Sequence, residues 1–276
     1  MERLSNDSVI SIVLPSRGRP ERLYKLLESI ISTADDLTRI EVVVLLDHDD
    51  EKNYRRREFD GLNCNFFTGD PGRAMGDLNY DCVMRANGDV IFFSNDDAVF
   101  KTSKWDTLLL REISLLPSSI YLMYPNDMFK GEKLCTFPIM SRKLLLDYPE
   151  IVSRRYLGAF IDLHIMDIFK AYRLGSHIKY LNSIICEHQH YRTDITLIDA
   201  TYTKRDRFGD DEHFIELAGE RARIVSEFSD KISKGPSWLK ENSIFQLLYG
   251  SASLGWKLKL FFYMMSRRTY RLLLNV

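Results

Sequence analysis

The chain has 276 residues, 45% of them hydrophobic, enough for one large domain or two small ones with a full apolar core. A formal net charge of −1 excludes a nucleic-acid binder that works by bulk electrostatics. Cys64, Cys82, Cys135 and Cys186 lie far apart with no CxxC pair, which speaks against a zinc knuckle or disulfide scaffold and for a reducing compartment. The polar start MERLSNDSV reads as no signal peptide, and no apolar run reaches the roughly 18 residues of a membrane span, so a cytoplasmic location is expected.

Val9 to Leu14 is apolar and β-branched, as suits a strand buried on both faces of a parallel sheet, and it is expected to stop at Pro15. The turn SRGRP follows, then a helix from about Glu21 to Ser32 with Leu23, Leu26, Leu27, Ile30 and Ile31 at helical spacing. Ile40 to Leu46 is the second strand and ends in Asp47-His48-Asp49-Asp50. Lys52 to Phe59 is charged and expected to be helical, Cys64 to Thr68 is a third strand, Gly69 to Gly76 a glycine-rich turn, and Asp77 to Ala86 a helix. Ile91 to Phe93 is a short strand that runs into Ser94-Asn95-Asp96-Asp97. Alternation of this kind predicts an α/β domain with a mostly parallel sheet. Further on, helices are expected at Trp105 to Leu115, Leu144 to Tyr148, Leu163 to Leu174 (closed by Gly175) and through most of Arg205 to Ser229. Strands are expected at Ile120 to Tyr124 and Lys179 to Cys186, with a short apolar stretch at Thr136 to Met140. Ser243 to Leu274 is apolar and basic.

Ligands of parallel α/β sheets sit beyond the carboxyl ends of the strands. Three such ends carry ligand-grade groups here: Ser16-Arg17, Asp47 to Asp50, and Asn95 to Asp97. A buried strand that ends in clustered carboxylates is costly unless something positive binds there, and a hard divalent cation with phosphate as co-ligand is the usual answer. Asn and Asp also favour plain turns, which is the bland alternative.

The pieces IVLPSRGRPERLYKLLESI, VVVLLDHDD, GDPGRAMGDLNYDCVMRANGDVIFFSNDD and ICEHQHYR, the last followed by Asp199-Ala200-Thr201-Tyr202, stand in one order. In that order, from Val9 to Tyr202, the chain resembles a family 2-like glycosyltransferase with a GT-A fold. The resemblance implies a nucleotide-diphospho-sugar transferase fold, a mostly parallel central sheet flanked by helices with a helical C-terminal extension. Residues 1–100 would be the nucleotide-sugar-binding half, 101–204 the acceptor-binding half, and 205–276 the extension. It also implies an inverting transfer from a nucleoside-diphosphate sugar, a UDP sugar by resemblance, to a glycan or lipid-linked acceptor. The sequence departs from the family's Asp-any-Asp metal motif, because Asn95 (or Ser94 in another register) takes the first position. Asp97 remains as the metal contact. Around Phe160 to Asp167 the chain offers Asp162, His164 and Asp167 in place of an obvious Glu-Asp pair.

A departing diphosphate must be neutralised, and a divalent cation, Mn2+ or Mg2+, does this with one or two protein carboxylates and sometimes a histidine. Asp97 fits the carboxylate role, with Asp96 or Asn95 placed to hydrogen-bond ribose or donor sugar. His188 and His190 follow a strand at i and i+2 and could face one site; imidazole suits manganese better than magnesium. Asp47, Asp49 or Asp50 could accept from base or ribose, Arg17 could reach the nucleotide, and Arg73 in the glycine-rich turn could pair with phosphate. Arg19 and Arg22 read as solvated. The general base for the acceptor hydroxyl is expected at Asp162, ahead of the following helix, with Asp167 as the alternative.

After Glu241 there is no acidic residue, while Lys257, Lys259, Arg267, Arg268 and Arg271 are basic. Residues 251–276 could therefore lie peripherally on the inner face of a membrane or pack on the catalytic domain or a second subunit, as in a homo-oligomer. Two rival functions are a non-catalytic nucleotide-sugar or carbohydrate-binding module, which Asn95 permits, and a sugar nucleotidylyltransferase, which would want more glycine after the first strand.

Overall fold

The computed structural model describes residues 8–54, 59–116, 118–171, 177–190 and 210–232, together with positions 254, 258, 261 and 262. Gly175, the segment 191–209 and nearly all of the basic tail lie outside the described residues. Eight strands form one mixed sheet: β1 (Ile10–Ser16), β2 (Ile40–Asp47), β3 (Asn63–Gly69), β4 (Val90–Phe93), β5 (Ala98–Phe100), β6 (Leu122–Asn126), β7 (Ile139–Ser141) and β8 (Ile178–His188), in the order β3-β2-β1-β4-β7-β6-β8-β5. The first four are parallel; β7 runs against β4 and β6, β6 and β8 are parallel, and β5 runs against β8.

The helices cover both faces. They are α1 (Pro20–Thr33), α2 (Met75–Arg85), α3 (Trp105–Ser114), α4 (Arg142–Asp147), α5 (Ile161–Ala171), α6 (Asp210–Glu216) and α7 (Ala218–Ile232). Side chains alternate across a strand, so Ile10, Ile12 and Leu14 with Val42, Val44 and Leu46 meet α1 and α3 on one face. Val13, Val43 and Leu45 meet α2, α4, α5 and α7 on the other. This two-sided burial explains why β1 and β2 read as continuous apolar runs.

Two points differ from expectation. β1 does not stop at Pro15 but continues to Ser16, paired with Leu46 of β2. Its other neighbour, β4, pairs only up to Val13, so the proline interrupts no ladder on that side. Of the charged run expected to be helical from Lys52 to Phe59, the described part holds a 3₁₀ turn at Glu51–Asn53 followed by the buried Tyr54, and residues 55–58 lie outside the described residues. β5, only three residues long, was not expected at all.

The edge opposite the strand carboxyl ends is fastened by Glu41. Its carboxylate receives Ser11 Oγ at 2.6 Å and the backbone N–H and Nδ2 of Asn87 at 2.8 and 2.9 Å. Burial alone would raise its pKa, but these donors outweigh it and hold the group below the usual range. Gly88 sits in the same corner, where an added Cβ would stand 2.6 Å from both Ser11 Oγ and the Val9 carbonyl. Gly88→Ala should therefore destabilise the protein by about 1–3 kcal/mol through overpacking, read as a lower urea midpoint at unchanged slope. An unshifted midpoint would show that the corner yields freely.

Candidate functional site at the carboxyl edge of the sheet

β1, β2, β4, β6 and β8 all point their carboxyl ends to one edge, and β5 begins there. β8 is wedged between two neighbours: the His188 N–H donates to the Asp127 carbonyl at 3.0 Å and the Gln189 N–H to the Asp97 carbonyl at 2.9 Å. This register brings His188 Nε2 to 3.3 Å from Asp97 Oδ1, with both side chains buried. Two ligands about 2.1 Å from one ion at roughly a right angle stand about 3 Å apart, so the pair could hold one side of a cation. His188 Nδ1 is buried and has no hydrogen-bond partner among the described residues. His190 lies past the end of β8; its ring is 5.0 Å from that of His188 and stacks on Phe129, while Phe137 packs against His188. Among the described residues no three His, Cys, Asp or Glu side chains make a complete metal cage. A two-residue set suits a cation that keeps water and phosphate oxygens.

Asp96 faces the other way. Its Oδ2 accepts from Ser16 Oγ at 2.9 Å and its Oδ1 from Arg19 Nη1 at 3.1 Å. Ser16 Oγ also meets the Tyr54 hydroxyl at 2.9 Å, and that hydroxyl accepts the Arg19 N–H at 3.3 Å. Burial pushes the Tyr54 hydroxyl up to about 12, so it stays protonated. Arg19 and Arg22, expected to be solvated, are instead turned in: Arg19 Nη1 is 3.7 Å and Arg22 Nη1 3.8 Å from Asp97 Oδ2, and only 10% of the Arg19 side chain is exposed. The reason is electrostatic, since two buried carboxylates side by side require nearby positive charge.

The remaining expected residues fall into separate groups. Arg17 pairs with Asp47 and forks onto both oxygens of Asp49 at 2.6 and 2.8 Å, which raises its own pKa and lowers that of Asp49. Asp50 receives the Gly18 N–H at 2.6 Å and Asn53 Nδ2 at 2.6 Å. Arg73 is tied down on α2, to Asp77 at 2.6 Å and Asp81 at 2.8 Å. The Asn95 carbonyl accepts the Ala98 N–H at 3.1 Å, closing the turn into β5, and its side chain is half-buried.

Asp162 lies in the first turn of α5, where its Oδ1 accepts the Leu163 N–H at 2.8 Å. Its carbonyl accepts from Cys135 Sγ at 3.2 Å, which ties α5 to the Cys135–Phe137 segment beside His188. Asp167 lies deeper in α5, paired with Arg221 of α7 at 2.9 Å. Arg221 also donates to the Phe214 carbonyl at 2.7 Å. His164, between Arg221 and the Tyr156 hydroxyl, is held neutral, its pKa lowered to about 3 by burial and the arginine. Asp210, fully buried at the start of α6, accepts three consecutive backbone N–H groups, from Leu157, Gly158 and Ala159, at 2.6, 2.8 and 2.6 Å. The carbonyls of Tyr156 and Leu157 in turn accept from Gly76 and Met75, the first residues of α2. The loop before Asp162 is thus clamped from both sides.

No protein-family model matches the sequence, and no curated protein sequence matches it significantly. Solved structures do. S. aureus TarS 1-349 in complex with UDP-GlcNAc is 17% identical with a TM-score of 0.54, over 87% of this chain and 78% of that one. A longer S. aureus TarS structure is 15% identical with a TM-score of 0.50, over 87% of this chain and 52% of that one. The fold is that of the GT-A-type glycosyltransferases. The mannosyltransferase PcManGT from Pyrobaculum calidifontis, in complex with GDP-Man and Mn2+, matches at 10% identity and a TM-score of 0.49, over 96% of this chain and 81% of that one.

Within this GT-A-type edge, sequence reasoning overlooked Tyr54, Phe129, Arg19 and Arg22. The signal for Tyr54 was a single aromatic in the charged run EKNYRRRE. For the arginines it was their position opposite an acid pair that needed a partner.

Burial, opposed by Arg19 and reinforced by Asp97, lifts Asp96 from an ordinary 3.8 to about 6. Because the folded state disfavours the charged form, the stability this group contributes is full below about 3.8 and is lost as pH rises through about 6. Without added divalent cation, wild type should therefore lose on the order of a few kcal/mol relative to Asp96→Asn between pH 4 and pH 7. Urea midpoints at both pH values check this, and a pH-independent gap would contradict it.

Proposed function

We propose that this protein is a metal-dependent glycosyltransferase that moves a sugar from a nucleoside-diphosphate sugar, a UDP sugar in the first instance, to a glycan or lipid-linked acceptor. The observation that carries this reading is the 3.3 Å approach of His188 Nε2 to Asp97 Oδ1 at the carboxyl edge of a GT-A-type sheet. The UDP-GlcNAc of the TarS structure supports a UDP sugar as the first donor to try. Asp97 and His188 would hold the cation, with His190 beside them on its Phe129 platform. When bound, such an ion neutralises charge on the departing diphosphate.

Residues 1–100 supply the nucleotide side in this proposal. Ser16, Arg17, Asp47 and Asp49 stand at the ends of β1 and β2, where base and ribose would lie. Asp96 and Asn95 face ribose or donor sugar, and Arg73 answers phosphate only if it leaves Asp77 and Asp81. Residues 101–204 supply the acceptor side. Asp162 takes the proton as the acceptor oxygen attacks the anomeric carbon and the carbon–oxygen bond to diphosphate breaks, with inversion at that carbon. Asp167, already neutralised by Arg221, is the second choice for base.

A thermal-shift screen of UDP, UDP-GlcNAc and GDP-mannose, with and without Mn2+, tests the reading, because a ligand of the native state raises the midpoint by mass action. No shift with any of them would sink it. Asp97→Ala should abolish Mn2+-dependent hydrolysis of the donor that binds while leaving the fold intact; near wild-type turnover would remove Asp97 from the metal site. A protein that binds donor but never turns it over would be a carbohydrate-binding module instead.

Asp162→Asn keeps shape and removes the proton acceptor. It should slow transfer to acceptor by roughly 100- to 10,000-fold while donor binding survives. Normal transfer by Asp162→Asn, with loss in Asp167→Asn, would move the role to Asp167.

A further inference from the structure

The acid pair at the end of β4 already has cations beside it. Arg19 and Arg22 enter from the start of α1, where Pro20 opens the helix and the three-residue spacing puts both side chains on one face. Arg19 Nη1 bridges Asp96 Oδ1 at 3.1 Å and Asp97 Oδ2 at 3.7 Å, and Arg22 Nη1 adds a second contact to Asp97 Oδ2 at 3.8 Å. The two oxygens of Asp97 are thereby divided, Oδ2 toward the guanidiniums and Oδ1 toward His188. Among the described residues, two carboxylates meet two guanidiniums, which balance in formal charge. A bare dication arriving at Oδ1 would meet fixed positive charge a few ångströms away, a repulsion worth upward of about tenfold in affinity at a partly buried site. A diphosphate has the opposite preference, because guanidinium forks match phosphate oxygens in charge and geometry.

Resting on the reading of Asp97 and His188 as the cation's protein ligands, we propose that Arg19 and Arg22 are a built-in counter-ion that makes the site reject a free divalent cation and admit it together with a nucleoside diphosphate. The arginines are specificity-determining residues for the nucleotide–metal complex: they hold the acid pair in place while the site is empty and offer their charge to phosphate when it fills.

Calorimetric titration of the full chain tests this with two probes, Mn2+ alone and Mn2+ with saturating UDP. Wild type should bind Mn2+ at least about tenfold more weakly without UDP than with it. Arg19→Gln and Arg22→Gln should each bind Mn2+ alone about tenfold more tightly than wild type, whereas Arg19→Lys, which keeps the charge, should stay near wild type. Circular dichroism confirms folding, and the more exposed Arg22 supplies the measurement if Arg19→Gln does not fold. Folded glutamine variants with unchanged affinity for Mn2+ alone would overturn the proposal, as would a wild type that binds Mn2+ equally well with and without UDP. Failure of the underlying site reading looks different: Mn2+ with UDP would then bind as well to His188→Ala as to wild type, or no protein would bind it at all.

Discussion

Negative charge buried at the carboxyl end of β4 is the constraint around which this molecule is arranged. An apolar strand delivers Asp96 and Asp97 into a place with almost no water, and every nearby element answers them. β1 brings Ser16 to Asp96, α1 brings Arg19 and Arg22, and β8 brings His188 to the far oxygen of Asp97. Burying such a pair without partners would cost several kcal/mol per charge. Two of these partners are themselves fixed by sheet register. β5 pairs with β8 so that Ala98 lies opposite His188, which sets the strand face from which the imidazole projects. Strand pairing thus brings His188 to Asp97.

The same arrangement keeps structural and chemical charges apart. At the opposite edge, Glu41 is just as buried but surrounded by neutral donors, and its carboxylate is easily ionised. At the carboxyl edge, Asp96 is short of such donors beside a second acid and resists ionisation. One group closes a corner of the sheet with neutral donors; the other leans on a neighbouring guanidinium.

Much of this was legible before any coordinates. Runs such as VISIVL and IEVVVLL declare strands covered on both faces, and the acidic residues that follow IEVVVLL fall at the carboxyl edge of the sheet. What was not legible depends on contacts distant in sequence. The three residues of β5 are too few to carry a period, and only β8 makes them a strand. Arg19 and Arg22 look like ordinary surface arginines until α1 turns them toward acids more than seventy residues away. Sequence also does not reveal that Arg73 and Asp167 each have an ion-pair partner, Asp81 and Arg221.

The clamp made by Asp210 has a consequence for how the molecule is born. Its three hydrogen bonds span 51 to 53 residues of chain. During synthesis the strands and α1 emerge first and can associate early, since a chain orders from its N-terminus as it is made. The loop of residues 157–159 then waits, its amides without that carboxylate, until α6 has left the ribosome. A nascent chain halted short of Asp210 would hold all eight strands and both aspartates that follow β4, yet would lack the carboxylate that fixes the loop before Asp162. Completion of the loop beside Asp162 is thus tied to synthesis of the chain through α6.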